Sequence, residues 1–258
     1  MRKYWIIVRQ SFINQLAYGS GSLVWFGVAL LELIIPMTIW LTASSVSGTF
    51  SGYTKSDILT YYILIGIIGN LSFWWTHFDI EGMVRSGELS SLLIKPYSAL
   101  GHIIFTQFGD KTLSILIRLP IFVLVFSYFH ISLHISFVAI LAIILAILMY
   151  LLISLLFGTL SFWITDTGGF VGLFYFSAYL FSGELAPLAF YPPWFTALTS
   201  YLPYRYILSF PIEIIMDNVN STQIFIGFLI GLGWLAILYS VLKVTWKKSL
   251  REYQAYGN

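Results

Sequence analysis

The sequence predicts an all-α integral membrane protein with about six transmembrane helices, and three observations carry that prediction. Of 258 residues, 59% are hydrophobic, 19% aromatic and 9% charged, which leaves too little polar side chain to cover a soluble globule. The apolar residues gather into roughly six runs of about 20, the length that crosses a bilayer core as a helix. Those runs claim nearly the whole chain, so one transmembrane domain over residues 1–258 is expected and no separate soluble domain fits. Cys is absent, which excludes a disulfide framework and any Cys-ligated metal.

Residues 1–18 are expected to form an interfacial helix, because Trp5, Val8, Phe12 and Leu16 make a stripe while Arg2, Arg9 and Asn14 sit off it. The apolar run before Arg9 is too short for a signal-peptide core, so the N-terminus reads as retained. Gly19, Ser20 and Gly21 should break this helix. The first span follows at 22–44, with Trp25 and Trp40 at headgroup depth near its ends and Glu32 near its middle. A Gly/Ser loop leads to the second span, 58–77. The third, 112–129, is entered through a half-apolar helix at 101–111 and is interrupted by Arg118 and Pro120. After an outer turn at 130–134, the fourth span, 135–157, is the most uniformly aliphatic and reads as a scaffold facing lipid. The fifth, 170–181, is too short to cross unless it begins near Phe162. Residues 182–221 hold Pro187, Pro192, Pro193, Pro203 and Pro211 among many aromatics; short outer re-entrant helices fit that composition. The last span, 224–244, carries Gly227 and Gly231, a small-xxx-small spacing that admits close helix packing.

Between spans two and three lies a polar island, residues 79–98, DIEGMVRSGELSSLLIKPYS. Glu81, Met83, Val84, Leu89, Leu92 and Leu93 recur at helical spacing, with a break at Gly87 and a stop at Pro96. It reads either as an ordinary solvated loop or as a partner-binding element. The charge pattern sets the orientation: with both termini inside, Arg2, Lys3, Arg9, Arg85, Lys95, Lys111, Lys247, Lys248 and Arg251 are cytoplasmic, and only Lys55 and Arg205 are outside. The expected location is the cell inner or plasma membrane.

Enzymatic chemistry finds no support. There is no phosphate-cradling G-x-x-x-x-G-K-[ST] run, no paired His on one helix face and no G-x-S-x-G elbow, so no catalytic, cofactor or metal site is assigned. His77, His102, His130 and His134 are scattered and read as interfacial anchors. Isolated intramembrane charges need a reason. Glu32 reads as a structural partner between helices, with Arg118 a candidate, or as part of a substrate path; Arg118 also lies close enough to one end of its span to snorkel. Glu184, Arg205 and Glu213 are either solvated at the outer face or line an outer gate.

The order of these parts resembles the membrane subunit of type-2 ABC transporters, the exporter-type permeases. Residues Gly87-Glu-Leu89-Ser-Ser-Leu92-Leu93-Ile-Lys95-Pro96-Tyr-Ser98 are similar to a G-x-L-x-x-L-L-x-K-P-x-S run in an uncharacterised branch of that family. Leu202-Pro203-Tyr204-Arg205-Tyr206 through Phe210-Pro211-Ile-Glu213 resembles the outer segment of the same branch. The resemblance covers essentially the whole chain. It implies two membrane subunits, identical or different, around a central pathway, and two cytoplasmic ATPases that carry the ATP and Mg. It also implies a coupling helix at Glu81, Met83, Arg85, Gly87, Glu88, Leu89, Leu92 and Lys95, with Arg85 and Glu88 as polar anchors. The cargo would be amphipathic, whether drug, peptide or lipid-like, and no nucleic acid is involved. The alternative is a membrane scaffold or channel-like protein whose island binds a cytoplasmic partner without an ATP cycle. A channel would repeat polar residues along one face of several spans, and a secondary transporter would show related halves; neither pattern is present.

Overall fold

The computed structural model describes residues 2–17, 20–47, 49–129, 135–164 and 166–253. The expected breaks at Gly19 and at 130–134 lie outside the described residues, as do the side chains of Trp25 and Glu32. What is described is helical. The centre is α7, Phe137–Leu160, the helix that the sequence assigned to a lipid-facing scaffold. That expectation is corrected here: the helices Lys55–Ser72 (α3), Thr76–Ser86 (α4), Pro203–Ile207 (α10), Ser209–Ile215 (α11) and Ser221–Glu252 (α12) all pack against it. Small side chains explain the choice. Ala139, Ala142, Ala146, Ser154 and Gly158 are buried along one side and let neighbouring helices come close, while Ile140, Leu141, Ile144 and Leu148 stay exposed on the other.

The N-terminal helix α1 (Arg2–Ala17) lies along the start of α6 (Ala99–Phe129). The expected apolar stripe is split between two surroundings. Val8 and Ser11 meet α6, where a Cβ on Gly109 would collide with the Val8 carbonyl and the Ser11 side chain, and Tyr4 stacks on Phe105 with centroids 4.5 Å apart. Trp5 and Leu16 are exposed, together with Ile6 and Ile13. Helix α2, Ser20–Ser47, includes Ser20 and Gly21, which the sequence pattern assigns to a break. Helix α6 likewise continues through Arg118 and Pro120.

Thr54 and Asp57 form a reciprocal capping box at the start of α3, satisfying two of the donors a helix leaves open. That helix ends at Ser72, short of the expected span, and the chain resumes as α4 after three residues. Lys111 Nζ donates to the Phe73 carbonyl at 2.5 Å in this gap. Helix α8, Gly168–Phe181, has 14 residues, about 21 Å of helix against a hydrocarbon core of about 30 Å. It does not begin near Phe162, because residues 161–163 form turns. By length and composition, three described helical stretches are apolar enough to cross a membrane: Lys55–Ser86, which α3 and α4 share, Phe137–Leu160 and Ser221–Glu252. Ile34–Ser44 and Gly168–Phe181 are shorter apolar helices.

Candidate functional site

The polar island folds as α4 and α5 (Glu88–Leu93), which meet at Gly87. Its φ of 74° is left-handed, a conformation that glycine adopts without steric cost. The turn lets both short helices direct apolar residues inward, so that Ile80, Val84, Leu89 and Leu92 are all buried. Ile80 fits against Gly158 of α7. On the same contact, Thr76 Oγ1 donates to Ser154 Oγ at 2.7 Å and the His77 backbone N–H donates to that oxygen at 3.2 Å.

Polar ties fix the island on its other sides. Gln107 Nε2 of α6 donates to Asp79 Oδ2 at 2.5 Å, and Lys3 Nζ of α1 donates to the Pro96 carbonyl at 3.0 Å. Thr167 Oγ1, in the turn before α8, donates to Glu81 Oε2, while Arg85 pairs with Glu81 Oε1 at 2.7 Å. Ser90 Oγ and Tyr253 OH, just past α12, share a hydrogen bond of 3.0 Å. Near the base, Ser11 Oγ donates to Asp110 Oδ1. Burial raises the Asp110 carboxyl pKa, and that hydrogen bond works against the rise. Burial first, and then Lys95, lower the His102 imidazole.

What faces outward is a ridge. Arg85, Ser86, Glu88, Ser91, Leu93, Ile94 and Lys95 are exposed, Ile94 to 87%. The sequence-selected residues therefore divide by position. Leu89 and Leu92 are core, Glu81 is committed inward, Met83 is half-buried, Gly87 is the turn, and Arg85, Glu88 and Lys95 lie on the ridge. Ile94, not among the sequence-selected residues, is the most exposed large apolar residue of the ridge.

At the opposite end of α3, residues 182–220 fold back over the bundle. Gly183 is again left-handed, φ 88°, and its carbonyl accepts from Tyr61 OH at 2.8 Å. The Leu185 carbonyl accepts from Tyr62 OH at 2.7 Å and from Trp40 Nε1 at 2.9 Å. Two helix-turns built on prolines, α9 (Pro193–Tyr201) and α10, precede α11. Tyr206, Ile207, Leu208 and Phe210 are fully buried there. Gly227 of α12 receives the Phe210 ring and Gly231 receives Leu145, so both glycines are packed within this chain.

Arg205 and Glu213 form an ion pair at 2.6 Å with side chains 17% and 13% exposed, and a second bond from Arg205 Nε reaches the same oxygen at 3.2 Å. Burial raises the Glu213 carboxyl and the guanidinium opposes it. The pair lies on the wall of a cavity of about 440 Å³ between α9, α11 and α12. Glu184 is half-buried next to Gly183 and is not part of that wall. Arg118 is half-buried on α6; its pairing with Glu32 lies outside what is described.

Long apolar helices gathered on α7, with exposed aliphatic flanks, define a helical membrane protein that presents one braced polar ridge. Residues 26–257 match the family described as ABC-2 family transporter protein. The chain belongs to that family and is the membrane subunit of an ATP-binding cassette transporter, whose ATPase is a separate chain. Comparison with curated proteins finds no match.

Proposed function

We propose that this chain is an exporter permease that pairs with a second permease subunit, the same chain or another, and takes its energy from two ATPase subunits docked on the α4–α5 ridge. ATP and Mg belong to those subunits. Both termini are cytoplasmic and the protein sits in the inner or plasma membrane. The charge distribution supports this orientation, because the exposed Lys247, Lys248 and Arg251 of α12 share an end with the ridge through the Ser90–Tyr253 bond. The pathway carries an amphipathic substrate.

One observation carries the reading: Ile94 is 87% exposed on a ridge whose base is tied to α1, α6 and α7. An isolated exposed apolar residue is ordinary, but here it crowns a rigid element flanked by Arg85, Glu88 and Lys95. Such an element transmits a push without yielding. It is tied to α7 by Ser154, to α6 by Gln107 and to α1 by Lys3. Burying one isoleucine is worth about 1.5–3 kcal/mol. Ile94→Glu with Glu88→Lys therefore weakens ATPase capture roughly tenfold or more in a co-purification from co-expressing membranes, with insertion and thermal stability unchanged. Undiminished capture, with normal coupled ATP hydrolysis, would remove the ridge as the docking element.

A further inference from the structure

The cavity beside the Arg205–Glu213 pair has a composition that the transport reading does not use. It is a half-open cleft with a volume of about 440 Å³, within the range of small-molecule sites. Its polar wall presents Arg205, Glu213, Asn218 and Gln223, with the phenol rings of Tyr53 and Tyr201. Its other wall is apolar, from Ile226 and Ile230 of α12. Beside that wall, Phe225 and Leu229 are exposed on the flank of α12, in the N-terminal part of a membrane-length helix.

Charge decides among ligands. The one cation and one anion on the wall already neutralise each other at 2.6 Å, so an anionic guest meets Glu213 and a cationic guest meets Arg205. Nor does the pair exhaust its capacity: both guanidinium contacts to Glu213 fall on the single oxygen Oε2, while Arg205 Nη1 donates to Ser200 Oγ at 3.4 Å, and a carboxylate accepts at two oxygens. Planar side chains that donate and accept in pairs, set beside aromatic rings, match a guest with several hydroxyl groups. The adjoining apolar flank matches a hydrocarbon tail.

We infer that the cavity between α9, α11 and α12 binds the uncharged, hydroxyl-rich headgroup of an amphiphile, with its tail lying along α12. The site does not depend on the ATPase reading, and its test needs no ATPase.

The test uses the full chain in nanodiscs and a short-chain alkyl glucoside that carries a diazirine in its alkyl chain. Mass spectrometry is expected to place the photolabel on residues 188–230. Excess octyl glucoside competes; free glucose, octyl phosphocholine and octyl sulfate at equal concentration compete at least tenfold less well. Ala197 is exposed and lines the cavity, so Ala197→Phe fills it from the surface and is expected to abolish labelling. A second variant guards against a folding defect. Glu213→Gln keeps a carbonyl for Arg205 but leaves the wall cationic, so octyl sulfate becomes a competitor, a gain that a damaged protein cannot show. Labelling spread over the exposed faces of α2, α8 and the part of α12 beyond residue 230, or equal competition by all the amphiphiles in the unaltered protein, overturns the assignment.

Discussion

Gly158 is where the island bears on the bundle, and adding one methyl group there tests whether that contact is rigid. A Cβ on Gly158 would lie 2.5 Å from Ile80 Cδ1 and 2.9 Å from Ile80 Cβ. The Cδ1 group can rotate away, but Cβ moves only with the backbone of α4. Restoring a tolerable 3.4 Å requires α4 to retreat by about 0.5 Å. That retreat stretches the His77 N–H to Ser154 bond from 3.2 Å beyond hydrogen-bonding range. Overpacking costs about 1–3 kcal/mol and the lost bond about 1, against a helix-propensity gain of up to about 1 for replacing glycine by alanine. Gly158→Ala is therefore destabilising by about 1–3 kcal/mol, a fall of several degrees in Tm. Gly172→Ala is the control, since nothing lies within 4 Å of a Cβ at that position of α8; it leaves Tm unchanged or slightly raised. Thermal unfolding of both variants in one detergent gives the comparison, and coupled ATP hydrolysis in the assembled transporter reads the displaced island. Equal Tm and equal coupling for the two alanine variants would refute the claim that α4 is held rigidly on α7.

Three further outcomes follow from contacts of the same kind. Gly109→Leu drives α1 off α6, because the Val8 carbonyl and the Ser11 side chain occupy the space; hydrogen exchange is expected to rise at least tenfold in residues 4–17 and to stay unchanged in α7. Gly183→Ala combines a left-handed φ of 88° with a Cβ 2.5 Å from Tyr61 OH and 3.0 Å from Ser209 Cβ, and costs about 2–4 kcal/mol. Tyr61→Phe removes only the hydrogen bond to Gly183 and costs about 1–2, so denaturation that ranks the two in reverse order would contradict this account of the turn. Glu213→Leu strands the mostly buried Arg205 and costs about 2–3 kcal/mol, whereas Arg205→Met with Glu213→Leu is within about 1 kcal/mol of the unaltered protein; a thermal double-mutant cycle measures the difference.

The sequence determined the class of the protein, because burial in lipid demands long apolar runs and composition reports them directly. It also placed the island, the break at Gly87 and the proline-built segment that precedes the last helix, since glycine and proline act locally. It did not determine which helix stands at the centre. The fourth span carries no charge and a nearly uniform hydropathy, and in lipid an aliphatic face costs the same against a neighbour as against acyl chains; only the small residues Ala142, Ala146 and Gly158 hinted at contact. The tertiary structure decided that point through shape. It likewise divided the island into a core of Leu89 and Leu92 and a ridge topped by Ile94, because a short helix shows its periodicity in sequence but not which neighbours will close over it. Finally, it joined Arg205 to Glu213 across eight residues. Two isolated charges in an apolar segment announce that a partner is needed, and only the turn from α10 into α11 brings that partner within reach.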